Sequence, residues 1–205
     1  MAAKQDNLDT IIEAATKAFA QNGFAGARMD DIARRAKVNK ATIYYKIGNK
    51  EALYAAVLMA VFDNNLEETG RAVLEAKTPE AKLGVLIRAI ASAIDANPAL
   101  PNIIMWEHAS GGQTMPEPVA EKIAGLITIL TMILEQGESQ GVFKPVRPML
   151  IQFMIVATLM FYRTSAPIRQ NLDAFPAAAK NLPDNVSGPI ADELENLILN
   201  ALKIE

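Results

Sequence analysis

Apolar residues recur at helical spacing from the start of the chain. Leu8, Ile11, Ile12, Ala15 and Phe19 share one face with polar residues between them, and Asn22-Gly23 follows as a stop, so a first helix is expected to end there. Met29, Ile32, Ala33 and Ala36 mark a second helix of about two turns, with Asp30 and Asp31 in its first turn, at the positive end of the helix dipole. Lys37-Val38-Asn39 interrupts, and Asn39 is placed to cap a third short helix from Lys40 to about Lys46 that buries Ile43. Gly48-Asn49 ends it. Asn49 can then cap a long fourth helix carrying Leu53, Val57, Ala60 and Val61, expected to continue past Leu66 to Leu74.

Five more helices read over 79–96, 101–109, 118–136, 148–164 and 189–203, each with proline at or just before its start, where the missing N–H costs nothing. The stretch from Ser165 to Gly188 is long for a loop in a helical domain, so a short helix is expected around Ala174 to Asn181. No strand alternation of useful length is present. The fold class is all-α: a three-helix head over residues 1–50, joined by a long helix to a helical body over 51–205.

Composition removes several classes. With 51% of its 205 residues hydrophobic and 21% charged, the chain can bury a core, which excludes whole-chain disorder. It has no cysteine, hence no disulfide, thiolate metal cluster or cysteine nucleophile. Residues 1 to 9 carry Lys4, Asp6 and Asp9 and lack the apolar run of a secretory signal, so a cytoplasmic location is expected. The longest nearly apolar stretch, Met149 to Tyr162, is 14 residues, short of the roughly 18 to 20 needed to cross a bilayer. It reads as a helix covered on every side, with no membrane partner.

Charge is divided unevenly. The whole chain is at -3, but residues 1 to 50 hold nine bases and five acids, leaving -7 for the remainder. A basic head on an acidic body suits a polyanion at one end only. Two short helices around a tight turn, the second ending in polar and aromatic residues, describe a helix-turn-helix, whose second helix must be short and exposed on one face to enter a major groove about 12 Å wide.

The run from Gly23 to Leu53, with its Asp31-Ile32-Ala33, Val38 after the turn, Thr42-Ile43-Tyr44-Tyr45 and Asn49-Lys50-Glu51-Ala52-Leu53, resembles the DNA-binding region of TetR-type transcriptional regulators. The resemblance implies that Lys40, Ala41 and Thr42 open the recognition helix near base edges and phosphates, that Tyr44 and Tyr45 pack against or hydrogen-bond the DNA backbone, and that Lys50 brings a cation beside a phosphate at a helix N-terminus. Arg28 and Asn39 flank the same surface. The chain departs from the family pattern at several positions. Lys37 stands where the turn commonly has glycine, so a left-handed conformation there would be strained. Ala27 and Arg28 replace Thr or Ser that could cap the second helix, Ile47 replaces an aromatic, and Lys46 replaces a histidine and adds a positive charge near DNA.

A head this small needs two half-sites for useful discrimination, so a homodimer on a palindromic double-stranded DNA operator is expected. The resemblance implies that the last two long helices form the dimer interface, here through Phe153, Met160, Leu194, Leu197, Ile198 and Ala201. It also implies a small-molecule effector pocket in the body, whose occupation moves the fourth helix and respaces the heads. Nine methionines, several near aromatics, offer the adaptable lining of an apolar pocket, and the candidate residues are Met105, Trp106, His108, Phe143, Met154 and Phe161. Glu107 and His108 are neighbours in sequence and point to different faces of a helix, which disfavours a joint metal or acid/base role.

Catalytic triads, phosphate-cradling glycine loops and paired metal-ligand spacings are absent, so no catalytic residue, metal or cofactor is expected and the chain is not read as an enzyme. The resulting expectation is a ligand-responsive regulator, most simply a repressor released by a small, largely apolar effector. The alternatives are a small-molecule binding or carrier protein with a vestigial helix-turn-helix, and a helical enzyme acting on an apolar substrate.

Overall fold

The computed structural model describes residues 2–62, 66–180 and 182–204. In chain order the helices are α1 (Ala2–Gly26), α2 (Met29–Arg35), α3 (Lys40–Lys46), α4 (Lys50–Phe62), α5 (Leu66–Glu75), α6 (Pro79–Ala96), α7 (Leu100–Ala109), α8 (Glu117–Ser139), α9 (Pro148–Asn171), α10 (Ala177–Lys180) and α11 (Pro189–Leu202). Among the described residues the only β pairing is an isolated bridge between Phe143 and Lys203. The expected continuity of the fourth helix past Leu66 falls on residues 63 to 65, outside the described residues. The short helix expected near Ala174 to Asn181 is α10.

The chain divides into two compact units, one of residues 1–63 and 99–122, the other of residues 64–98 and 123–205. In the first, α1 packs on α2, α4 and α7. Its core holds Ile11, Ala15, Phe19, Ile32, Ile43 and Leu53, each at the helical spacing that marked its element in the sequence. Phe19, Phe24 and Tyr54 form an aromatic cluster, Tyr54 meeting the other two rings edge-on at centroid distances of 4.8 and 5.1 Å. Such pairs stabilise beyond the area they bury. Two helices that follow residue 50, α4 and α7, thus belong to the compact unit of the head.

In the second unit α6 packs on α5, α9 and α11, and α9 on α10 and α11. Leu83, Leu86, Ile87, Leu130, Ile155, Leu159, Ile198 and Leu202 are buried there. Phe143, expected in an effector pocket, is buried at 1% exposure. Its ring lies where a Cβ on Gly137 would sit, so the glycine in α8 admits the ring.

Pro167 lies inside α9, and the helix runs on to Asn171 rather than ending near Thr164. Arg169 holds that turn: its guanidinium donates to the Tyr162 carbonyl at 2.8 Å and lies over the Tyr162 ring. With 24 residues, α9 is the one helix among the described residues long and apolar enough by length and composition to cross a membrane, which corrects the reading of a 14-residue stretch. Its Ile151, Gln152, Ile155 and Leu159 face is packed inside the second unit. The isolated chain alone does not supply cover on every side. Leu150, Phe153 and Phe161 lie 57%, 57% and 64% exposed in the isolated chain.

Asp95, near the end of α6, fastens the segment leading into α11. Its carboxylate accepts from the backbone N–H of Val186 at 3.0 Å and of Ser187 at 2.7 Å, and from the Ser187 hydroxyl. Burial alone would raise this carboxyl, but the Ser187 hydroxyl, the two N–H groups and the Arg163 charge together hold it below its ordinary value. A carboxyl depressed in the folded state stabilises above the unfolded value, and that stability is lost as pH falls through the folded one. Asp95→Asn is therefore expected to lower the urea midpoint at pH 7 and to match the parent increasingly closely as pH falls below 4. A gap that stays constant with pH would refute this.

Candidate nucleic-acid interface

The surface that could meet DNA is built on α3. Asn39 is extended (φ -72, ψ 141) and its side chain accepts from the Ala41 N–H at 2.9 Å, the expected N-cap. Ile43 is fully buried and anchors the helix, which turns Ala41, Tyr44 and Tyr45 outward; the two rings are 48% and 86% exposed. Lys40, Thr42 and Lys46 are half-buried at its flanks. Arg28 is exposed at the start of α2 and makes no capping hydrogen bond. Of the sequence-predicted residues of the head, Asn39 to Lys46 cap or form α3, Arg28 precedes α2 and Lys50 opens α4.

Two of the expected phosphate ligands are engaged within the chain. The Lys40 ammonium lies 3.0 Å from Asp30, whose hydrogen bond raises the lysine above its ordinary value. Lys50 donates to the Ala25 carbonyl at 3.3 Å and sits 4.6 Å above the Phe24 ring. Its partial burial pushes its pKa down, with the Glu51 charge opposing. Asn49 caps α4 by accepting from the Ala52 N–H at 2.9 Å. Asp30 was read only as a dipole partner; its position ten residues before Lys40, across a tight turn, was the signal of an ion pair.

The turn confirms one expectation directly. Lys37 has φ 55, the one positive-φ residue other than glycine among the described residues. Its N–H still bonds to the Arg34 carbonyl and that of Val38 to the Ala33 carbonyl, so α2 closes as a glycine would close it, with a side chain in the way.

Residues 11–57 match the model of bacterial regulatory proteins of the tetR family, and residues 79–181 that of tetracyclin repressor-like C-terminal domains. The chain belongs to the TetR family. Over 175 residues it is 28% identical to the HTH-type transcriptional repressor NicS of Pseudomonas putida, covering 82% of this chain and 80% of that one. Over 155 residues it is 30% identical to the uncharacterized HTH-type transcriptional regulator YhgD of Bacillus subtilis, covering 74% and 79%. The solved structure of the transcriptional regulator FadR from Bacillus subtilis in complex with stearoyl-CoA shares the fold, with a TM-score of 0.66 at 21% identity over 94% of this chain and 97% of that one.

In this TetR-family chain the other expected sites are rearranged. Met105, Trp106 and His108 belong to the first unit, Phe143, Met154 and Phe161 to the second. Trp106 packs over Gly23, which breaks the end of α1 at φ 66, and its indole N–H donates to the Ala20 carbonyl at 3.3 Å. These contacts tie it to α1. Met105 and His108 are exposed, Met154 is half-buried and Phe161 is exposed. Of the expected dimer face, Met160, Leu194 and Ile198 are buried within the chain, on the inward stripes of α9 and α11; Phe153, Leu197 and Ala201 remain exposed. Glu107, set aside with His108 as a joint metal or acid/base pair, was not read as buried, and it is 3% exposed on α7. Leu100, Ile103, Ile104 and Glu107 repeat at i, i+3, i+4 and i+7, so the stripe itself carried the signal.

Lys37→Gly removes the left-handed penalty on a residue with a Cβ, partly offset by the freedom glycine gains when unfolded, and is expected to stabilise by roughly 0.5–1 kcal/mol. Urea unfolding checks this. A destabilised glycine variant would show that the lysine side chain supplies a compensating contact.

Proposed function

We propose that this TetR-type regulator is a cytoplasmic homodimeric repressor that binds an inverted-repeat operator through Arg28, Asn39, Lys40, Ala41, Thr42, Tyr44, Tyr45, Lys46 and Lys50, and leaves it when a small effector binds. The observation that carries the reading is α3: capped by Asn39, anchored by Ile43, and presenting Ala41, Tyr44 and Tyr45 to solvent. A core helix would have no reason to expose two tyrosines side by side. NicS, a similar chain, is a repressor, and FadR, a chain of like fold, was solved with stearoyl-CoA; both support a ligand-released repressor with a largely apolar effector. Release is a population shift, so the effector must bind the state with mismatched head spacing more tightly than the DNA-binding state.

Dimerisation draws support from the apolar surface left on α9 and α11. A fully buried Leu or Phe side chain stabilises by about 1.5–3 kcal/mol over an exposed one, so covering Leu150, Phe153, Phe161 and Leu197 with the same surface of a second copy is a strong drive to isologous pairing. The pair Phe153→Glu and Leu197→Glu is expected to give a folded monomer in sedimentation equilibrium. A dimer unaltered by both charges would move the interface elsewhere.

Selection of bound sequences from random duplex DNA tests the function. The parent is expected to enrich an inverted repeat, with Tyr44→Ala and Lys50→Ala each weakening its binding by about tenfold or more. The alternative, a carrier protein with a vestigial helix-turn-helix, would enrich nothing even at low salt.

A further inference from the structure

Glu107 lies on the inward stripe of α7, in the first unit, and is buried at 3% exposure. Its Oε1 accepts from the Tyr54 hydroxyl of α4 at 2.7 Å and from the Thr114 hydroxyl. Its Oε2 is buried and has no hydrogen-bond partner, and no ion pair to it occurs among the described residues. Both hydroxyls meet the same oxygen, so Oε1 is engaged twice while Oε2 is met by no donor. A buried carboxylate with half its acceptor capacity unused is costly to keep. Replacing it by an apolar residue would relieve that cost, so its presence on an otherwise apolar stripe points to a donor that arrives from outside.

We propose that Glu107 is a ligand-recognition carboxylate, its Oε2 receiving N–H donors from a basic nitrogen of the effector, an amine or amidine. The inference rests on the regulator reading and gives the otherwise apolar effector a cationic end. A cation is favoured over a neutral donor because it supplies the missing charge as well as the missing hydrogen bond in a setting of low dielectric. Thr114 marks the way in. It belongs to the connection between α7 and α8, where Ser110, Gly111, Gly112 and Gln113 are exposed and both glycines have positive φ, so its side chain can swing off Oε1 without disturbing a helix. A ligand nitrogen on the carboxylate draws charge away from the Tyr54 hydroxyl, and Tyr54 stands on α4, whose first turn follows α3 directly. The signal thus enters one helix away from the DNA-reading surface.

The test uses the full chain and four probes of one shape: benzamidine and benzylamine as cations, benzamide as the neutral form and benzoate as the anion. Binding is read by calorimetry and by emission of Trp106, the single tryptophan and the residue next to Glu107. The cations are expected to bind at least about tenfold more tightly than benzamide, with that preference erased in Glu107→Gln and kept in Tyr54→Phe, which leaves the carboxylate in place. Cations that fail to saturate the parent at millimolar concentration, or that bind Glu107→Gln equally well, would overturn the proposal and leave Oε2 to an ordered water. Should Glu107→Gln not fold, the order of the probes on the parent still decides. Binding of the selected duplex without any probe is measured in parallel: its loss would sink the regulator reading, while the titrations judge the carboxylate independently.

Discussion

Seven residues of α-helix are far too few to hold together in water, because nucleation costs more than so short a run of hydrogen bonds returns. Everything α3 presents outward therefore depends on what it buries and how it is capped. Ile43 is its one buried side chain, and the Asn39 amide closes its first turn. With so little to spare, the recognition helix takes its rigidity from the unit beneath it, in which α1 packs on both α4 and α7. A weakened contact in that unit is felt at Tyr44 and Tyr45 although neither residue takes part in it.

The same dependence explains why α7 counts with the head. Trp106 closes over the break at Gly23, and Glu107 holds Tyr54 from the inner side of the same helix. Two adjacent residues on α7 therefore grip α1 and α4, the two long helices that frame the DNA-reading pair. Burial raises the Tyr54 hydroxyl well above its ordinary value, with the Glu107 hydrogen bond adding to the effect. The phenol stays protonated and donating across the physiological range.

Helical elements were legible because their spacing and their caps agree: Asn39, Asn49 and Thr78 each accept the N–H their position predicts. Lys37 was legible as strain because a turn geometry can be read from what usually fills it. What stayed hidden depends on contacts distant in sequence. The last turns of α9 past Thr164 went unread, because Pro167 lies within them and the Arg169 side chain that bonds back to the Tyr162 carbonyl there is a tertiary detail of the helix end. Trp106 and Phe143 read as pocket residues by type, and each is claimed by a glycine far from it in character, one at a helix break and one inside a helix. Glu107 was weighed only as a partner for His108 and set aside because adjacent residues face different sides of a helix, although the spacing of its neighbours put it inside.

Three of the head's bases have an acid of the same head beside them, which leaves its net excess of bases unchanged. Lys40 is paired with Asp30, Arg34 with Asp31 and Lys17 with Glu13. All three pairs are exposed, where solvent and salt screen them and they contribute little to stability. A phosphate arriving beside Lys40 therefore competes against a weak partner and displaces it at small cost. The displaced Asp30 is then left as an uncompensated negative charge near the duplex, which favours approaches that keep the ammonium between carboxylate and phosphate. Asp30 in this way restricts the geometry of the lysine contact while lowering its strength, and the head exchanges nonspecific grip for orientation. On the proposed reading, affinity then comes from fit, which places the burden on α3's exposed face and on pairing with a second copy.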